Sequence, residues 1–157
     1  FTGLKYFDTF TYKQMNDVYN LMDVYVSTTS GEGFGVGTIE AMSCGIPVLI
    51  TSYTTTDELV IQHKSGEGIK LVGCEEIDMF SIPTQEYDYK CMNGTITGSW
   101  SVERGIVDID DGVIKLEKLY NDPELRKQYG INGRKAVEQN YTWSNVIGQW
   151  SNLLKKS

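Results

Sequence analysis

The chain has 157 residues, 40% hydrophobic and 22% charged, a composition that fits one soluble folded domain and excludes a disordered, collagen-like or coiled-coil chain. Fourteen Lys and Arg against 21 Asp and Glu leave a formal charge of -7, and no basic cluster is longer than Lys155-Lys156. The usual electrostatic drive toward nucleic acid or an anionic membrane is therefore missing. No apolar run reaches the roughly 20 residues of a membrane helix. Cys44, Cys74, Cys91 and His63 lack the spacing of zinc ligands, so reduced thiols and a cytoplasmic location are expected. The chain opens on Phe1 rather than Met, which points to a piece of a longer protein.

In chain order, Tyr12, Met15, Val18, Tyr19 and Met22 share one face of a helix expected over 12–22, with Gln14, Asn16 and Asp17 facing out. Tyr25-Val26 is a short β-prone piece. Thr38 to Cys44 reads as a helix closed by Gly45, and Pro47-Val48-Leu49-Ile50 is an unbroken apolar run of the kind found in strands buried on both faces. Thr55-x-x-Glu58 spells a capping box before Leu59-Val60-Ile61, and Gly68 to Val72 is the next strand candidate. Strand and helix thus alternate, which predicts an α/β fold with a parallel sheet flanked by helices. Residues 73–105 break the pattern and read as an insertion, with Lys90–Met92 and Thr95–Thr97 paired across Asn93-Gly94. Helices return over 106–157: Val113, Leu116 and Tyr120 share a face, Asp122-Pro123 starts a helix, and Trp143, Val146, Ile147, Trp150 and Leu154 form an apolar stripe.

The most informative stretch runs from Ser30 to Met42. Gly31, Gly33, Gly35 and Gly37 alternate between a strand and a helix, which leaves backbone N–H groups uncovered at a helix N-terminus, where an anion such as phosphate is favoured even in an acidic protein. The spacing does not fit the dinucleotide fingerprint G-x-G-x-x-G, because Val36 stands where its third glycine belongs, and no Walker-type lysine follows. Glu32 and Glu40 bracket the turn eight positions apart. Each carboxylate can accept two hydrogen bonds and so hold a vicinal diol, an arrangement that suits two sugar-like rings on either side of a diphosphate. Taken singly, Glu40 reads equally as an acid favoured by the helix dipole and Glu32 as a solvated loop residue.

Glu32-Gly33-Phe34-Gly35 through Glu40-Ala41-Met42-Ser43-Cys44-Gly45-Ile46-Pro47-Val48 resembles the signature of the family-4 retaining glycosyltransferases of the GT-B fold, in their C-terminal, donor-binding, Rossmann-like domain. Val18-Tyr19 with Met22-Asp23-Val24, Asp57 to Val60 with Gly66 and Gly68, and Thr142-Trp143 are similar to flanking pieces of that family. The likeness covers roughly 3–72 and 106–156. It implies that residues 1–157 are a single C-terminal nucleotide-sugar-binding domain, one half of a GT-B fold. Its donor would be a UDP- or GDP-linked sugar, with no cofactor and no metal. Glu32 would contact the donor hexose as the catalytic residue, Gly33, Phe34, Gly35, Val36, Gly37 and Thr38 would line the donor site, and Glu40 would hold the ribose hydroxyls. The family's phosphate-binding Arg and Lys and its acceptor-binding N-terminal domain precede the matching region. The piece alone is therefore expected to be an inactive fragment of a retaining hexosyltransferase. Thr28-Thr29 stand where the family has Pro-Ser.

Several other features have simpler readings. Asp108-Ile109-Asp110 spells the D-x-D of metal-diphosphate sites, but Asp110 and Asp111 precede a helical stripe and are expected to cap it. His63 reads as an exposed helix-end residue, and Tyr87 and Trp100 as packing aromatics rather than a sugar platform. Asn93-Gly94-Thr95 and Asn140-Tyr141-Thr142 are glycosylation triplets that arise readily by chance. A non-catalytic sugar-nucleotide or carbohydrate-binding module of the same fold is the alternative function, against which the presence of both Glu32 and Glu40 argues. No Lys is placed to hold the pyridoxal group of a phosphorylase.

Overall fold

The computed structural model describes residues 10–78 and 101–155. Helix α1 (Tyr12–Tyr19) begins at Thr11, whose side chain accepts from the Gln14 amide while the Gln14 side chain accepts from the Thr11 amide. Met15, Tyr19 and Met22 reach the core. Tyr12, expected on the same face, is instead 94% exposed, because only the C-terminal half of the helix meets the sheet layer.

Strands β1 (Tyr25–Ser27), β2 (Val48–Thr51) and β3 (Gly66–Ile69) form a parallel sheet in that order, with Tyr25 opposite Val48 and Val48 opposite Gly66. Helix α2 (Val36–Ser43) makes the first crossover and a wide helical turn, Asp57–Ile61, the second. β2 is buried along its whole length. Val48 and Ile50 enter one core with Tyr19, Ala41, Met42, Leu59, Val60, Ala136 and Val137, while Leu49 points the other way to Ile69 and Leu119. The parallel sheet flanked by helices is thus the architecture expected of an α/β chain.

Two local expectations fail for identifiable reasons. The capping box at Thr55 and Glu58 does not form. The turn Asp57–Ile61 has no side-chain cap, and buried Thr56 instead donates its hydroxyl to the carbonyls of Thr51 and Tyr53, satisfying acceptors at the end of β2. The strand expected over 68–72 divides at Lys70, which gives its amide to Asp111 and accepts the amide of Asp108. Neither group is left for the parallel ladder. The chain then leaves as β4 (Leu71–Asp78), antiparallel to β5 (Ser101–Val107). These two strands are the stems of the insertion; the expected pairing of 90–92 with 95–97, with Tyr87, Cys91 and Trp100, lies outside the described residues.

Helix α3 (Ile109–Asn121) is capped by Asp108, which accepts from the Asp111 amide at 3.0 Å. Asp110 and Asp111, the expected caps, sit in the first turn, where Asp111 pairs with Lys115 at 2.7 Å. Helix α4 (Pro123–Ala136) starts at Asp122-Pro123 as its sequence predicts, and α5 (Trp143–Leu154) is capped by Thr142. The apolar stripes of α3 and α5 are not covered. On α3 Leu119 is buried but Val113, Leu116 and Tyr120 are exposed, and on α5 no residue is buried. Among the described residues no helix is long and apolar enough to cross a membrane, and Cys44 and Cys74 are free thiols.

α4 lies directly on the turn that ends α2: a Cβ on Gly130 would stand 2.0 Å from the Gly45 carbonyl oxygen, whereas one on Gly148 in α5 would meet nothing within 4 Å. Gly130→Ala should therefore destabilise the fold by about 1–3 kcal/mol, and Gly148→Ala should stabilise it by about 0.5–1 kcal/mol, as read by denaturant unfolding.

Glu67 on β3 accepts from Lys118 of α3 at 2.5 Å and from Tyr129 of α4 at 2.8 Å. Burial acts to raise its pKa, but the two hydrogen bonds outweigh it and the net shift is downward from 4.5. The Lys115 hydrogen bond and the Lys70 amide lower that of Asp111 from 3.8. Groups with depressed pKa values stabilise the fold above their unfolded values and lose that contribution as pH falls through the folded ones. Unfolding midpoints should accordingly drop as pH falls below about 4.5, and Glu67→Gln should flatten that dependence.

Candidate functional site

The segment between β1 and α2 leaves the sheet at the C-terminal end of its strands, where open α/β sheets bind ligands. Gly35 is the N-cap of α2 at φ 81, ψ 54, and no side chain caps the helix. The amides of Thr38 and Ile39 both bond to the Gly35 carbonyl, while those of residues 33–37 have no partner among the described residues. A run of uncommitted N–H groups at a helix start is an anion-binding concavity.

The loop is held from several sides. The Glu32 amide donates to Thr54 Oγ1 at 3.3 Å, the Ser30 carbonyl accepts from Gly105 on β5 at 3.0 Å, and Gly31 accepts from the Thr29 hydroxyl at 3.1 Å. Phe34 packs edge-on against Tyr141 with ring centroids 6.1 Å apart. Tyr141 in turn lies edge-on to His63, with its hydroxyl 3.2 Å from His63 Nε2. His63 is thus half-buried in an aromatic stack behind the loop, not the exposed helix-end residue its sequence position suggests. Arg104, inside the supposed insertion, places Nη1 2.9 Å from the point that a Cβ on Gly31 would occupy.

Glu32 is exposed in the loop, as are Gly33, Phe34 and Val36. Glu40 is half-buried in the second turn of α2, where Tyr19 donates its hydroxyl to Glu40 Oε2 at 2.8 Å. Burial, and then that hydrogen bond, push the Tyr19 pKa well above the ordinary tyrosine value. Gly37 lies over two rings: a Cβ there would stand 2.7 Å from the Tyr25 hydroxyl and 3.6 Å from that of Tyr19. Thr38 is buried, and it shapes the turn from inside. The two glutamates therefore bracket one loop and one helix start. Sequence reasoning treated Tyr19 as an apolar face residue and did not anticipate Tyr25 or Arg104 here; a lone tyrosine hydroxyl or an arginine 73 positions from the loop carries no spacing signal. Among the described residues no group of three or more His, Cys, Asp or Glu could hold a metal ion.

Residues 4–75 match the family model described as glycosyl transferases group 1, a match that contains the loop, both glutamates and all of the parallel sheet. That segment is similar to the group 1 glycosyl transferases. The chain is 29% identical over 143 residues to the capsular polysaccharide biosynthesis glycosyltransferase CapM of Staphylococcus aureus, covering 88% of this chain and 28% of that protein. It is 24% identical to an uncharacterized glycosyltransferase of Methanocaldococcus jannaschii, covering 85% and 26%, and 25% identical to sucrose synthase of Solanum tuberosum, covering 90% and 16%. Among solved structures, sucrose-phosphate synthase of Thermosynechococcus elongatus superposes with a TM-score of 0.65 at 20% identity, over 94% of this chain and 28% of the other. That likeness is one of fold, a parallel sheet flanked by helices. The chain spans little more than a quarter, at most, of each of these proteins.

Proposed function

We propose that this chain is the donor-binding part of a retaining hexosyltransferase that takes a UDP- or GDP-linked sugar. The observation that carries the reading is the uncapped start of α2, with amides 33–37 open and a carboxylate on either side. The amides would take the diphosphate, Glu40 the ribose diol and Glu32 the hydroxyls of the hexose. During transfer the bond from the anomeric carbon to the diphosphate oxygen breaks and its electron pair goes to the diphosphate, while the acceptor oxygen forms the new bond to that carbon and gives up its proton, which the departing diphosphate can take. Preorganised N–H donors aimed at that oxygen stabilise the charge as it develops. This reading takes no metal ion: the open amides supply the positive end for the diphosphate, and Asp108 of the Asp108-Ile109-Asp110 pattern accepts the Asp111 amide as the α3 cap.

The acceptor would be held by an N-terminal domain of the same longer protein. Two uncovered surfaces support a further packing partner. Trp143 and Trp150 on α5 are 81% and 60% exposed. A groove of about 170 Å³ between β1 and α3 is lined by Val26, Leu49, Ile69, Val107, Val113 and Leu116. Contiguous apolar surface of this kind marks an interaction face.

Calorimetry separates the roles. Glu40→Ala should weaken binding of the nucleoside diphosphate by about 1.5–3 kcal/mol, while Glu32→Ala should weaken binding of the nucleotide sugar and spare the diphosphate. Equal losses for both ligands in both variants would reject the assignment, and a chelator should change neither affinity. In a sugar-transfer assay the 157-residue chain should be silent and the longer protein active, because an acceptor that is not held near the anomeric carbon forfeits on the order of 7–11 kcal/mol.

A further inference from the structure

We propose that Tyr19 is a positioning residue for nucleotide recognition: its hydroxyl fixes the Glu40 carboxylate in the orientation that receives a ribose diol. This rests on the reading of Glu40 given above. A free glutamate has three rotatable bonds, and holding it in one geometry costs entropy at the moment of binding unless the protein has already done so. Here the restraint exists before any ligand arrives. The Tyr19 ring is 6% exposed, tilted at 47° against Tyr25 with centroids 6.2 Å apart, and its hydroxyl donates to Glu40 Oε2 at 2.8 Å. One turn further along the same seam, Cys44 Sγ donates to Asn16 Oδ1 at 3.5 Å. α1 is thereby tied to α2 at Asn16 as well as at Tyr19, which adds to the restraint on the Tyr19 ring.

The stoichiometry of acceptors fits. An ionised carboxylate has about four lone-pair positions. Tyr19 takes one on Oε2, which leaves the other on Oε2 and both on Oε1 for two neighbouring hydroxyls. Because burial and the Glu40 hydrogen bond hold the phenol protonated far above neutral pH, Tyr19 remains a donor throughout the working range. Gly37 is part of the same device. One helical turn before Glu40 it has no Cβ to collide with the Tyr25 hydroxyl 2.7 Å away, so both rings can lie under the face of α2 that carries the carboxylate.

The test is the preference for a ribonucleotide, measured by calorimetry on the full-length protein with uridine and guanosine diphosphates and their 2′,3′-dideoxy analogues. Tyr19→Phe should weaken binding of the ribonucleotide roughly 3- to 10-fold and leave the dideoxy analogue unaffected. Glu40→Ala should abolish the preference, and adding Tyr19→Phe to it should change nothing further. Tyr25→Phe, which removes a hydroxyl from the same seam without touching Glu40, should leave the preference intact. Loss of preference in Glu40→Ala with full preference in Tyr19→Phe would overturn the role of Tyr19 and spare that of Glu40. Full preference in Glu40→Ala would overturn both. Equal weakening of the ribo and dideoxy ligands in Tyr19→Phe would make Tyr19 a structural residue only.

Discussion

Gly35 holds φ 81 and ψ 54, a left-handed conformation that costs an L side chain about 1–2 kcal/mol and glycine little. That one backbone setting turns the chain out of the loop after β1 and into α2, and it places at the N-cap a residue with no side chain to offer the helix. An ordinary Ser or Asp cap would have satisfied one of the first amides. Here the Gly35 carbonyl collects the amides of Thr38 and Ile39, and the amides before them have no partner among the described residues. The negative net charge of the chain does not oppose an anion there, because the attraction is local and comes from peptide dipoles.

The site is stiffened by what stands behind it. β2, buried on both faces, fixes the height of the loop on one side and of the Thr51–Thr56 turn on the other. Thr54 and β5 then clamp the loop backbone from the side, and Phe34, Tyr141 and His63 form an aromatic stack that joins the loop to the junction between α4 and α5. The loop is thus held to β5, to the turn after β2 and to the junction of α4 and α5. Among the described residues the exposed apolar helix faces are those of α3 and of α5 along its tryptophans.

Much of this was legible in the residues. The unbroken run Pro47 to Ile50 announced a strand with two buried faces, the glycines from Gly31 to Gly37 announced the helix entry, and Glu32 and Glu40 stood out by their spacing around it. Periodicity misled where it was read as burial. Val113, Leu116 and Tyr120 share a helical face as expected, but whether a face is covered depends on sheet area, which no local pattern encodes. The Thr55 to Glu58 pattern was a valid capping signal that lost to a tertiary demand, the buried Thr51 carbonyl. The Tyr19–Glu40 bond and the approach of Arg104 to Gly31 were invisible because each joins residues far apart in the chain through contacts that only the fold creates.

The central claim is that the amides of residues 33–37 receive the diphosphate. Amide NMR on the 15N-labelled protein, titrated with uridine and guanosine diphosphates, tests it most directly. The account predicts the largest, saturating shifts at residues 33–37, followed by Glu40 and Tyr19. Saturating shifts centred on Asp108 and Asp110 and dependent on a divalent ion, with residues 33–37 unmoved, would contradict it.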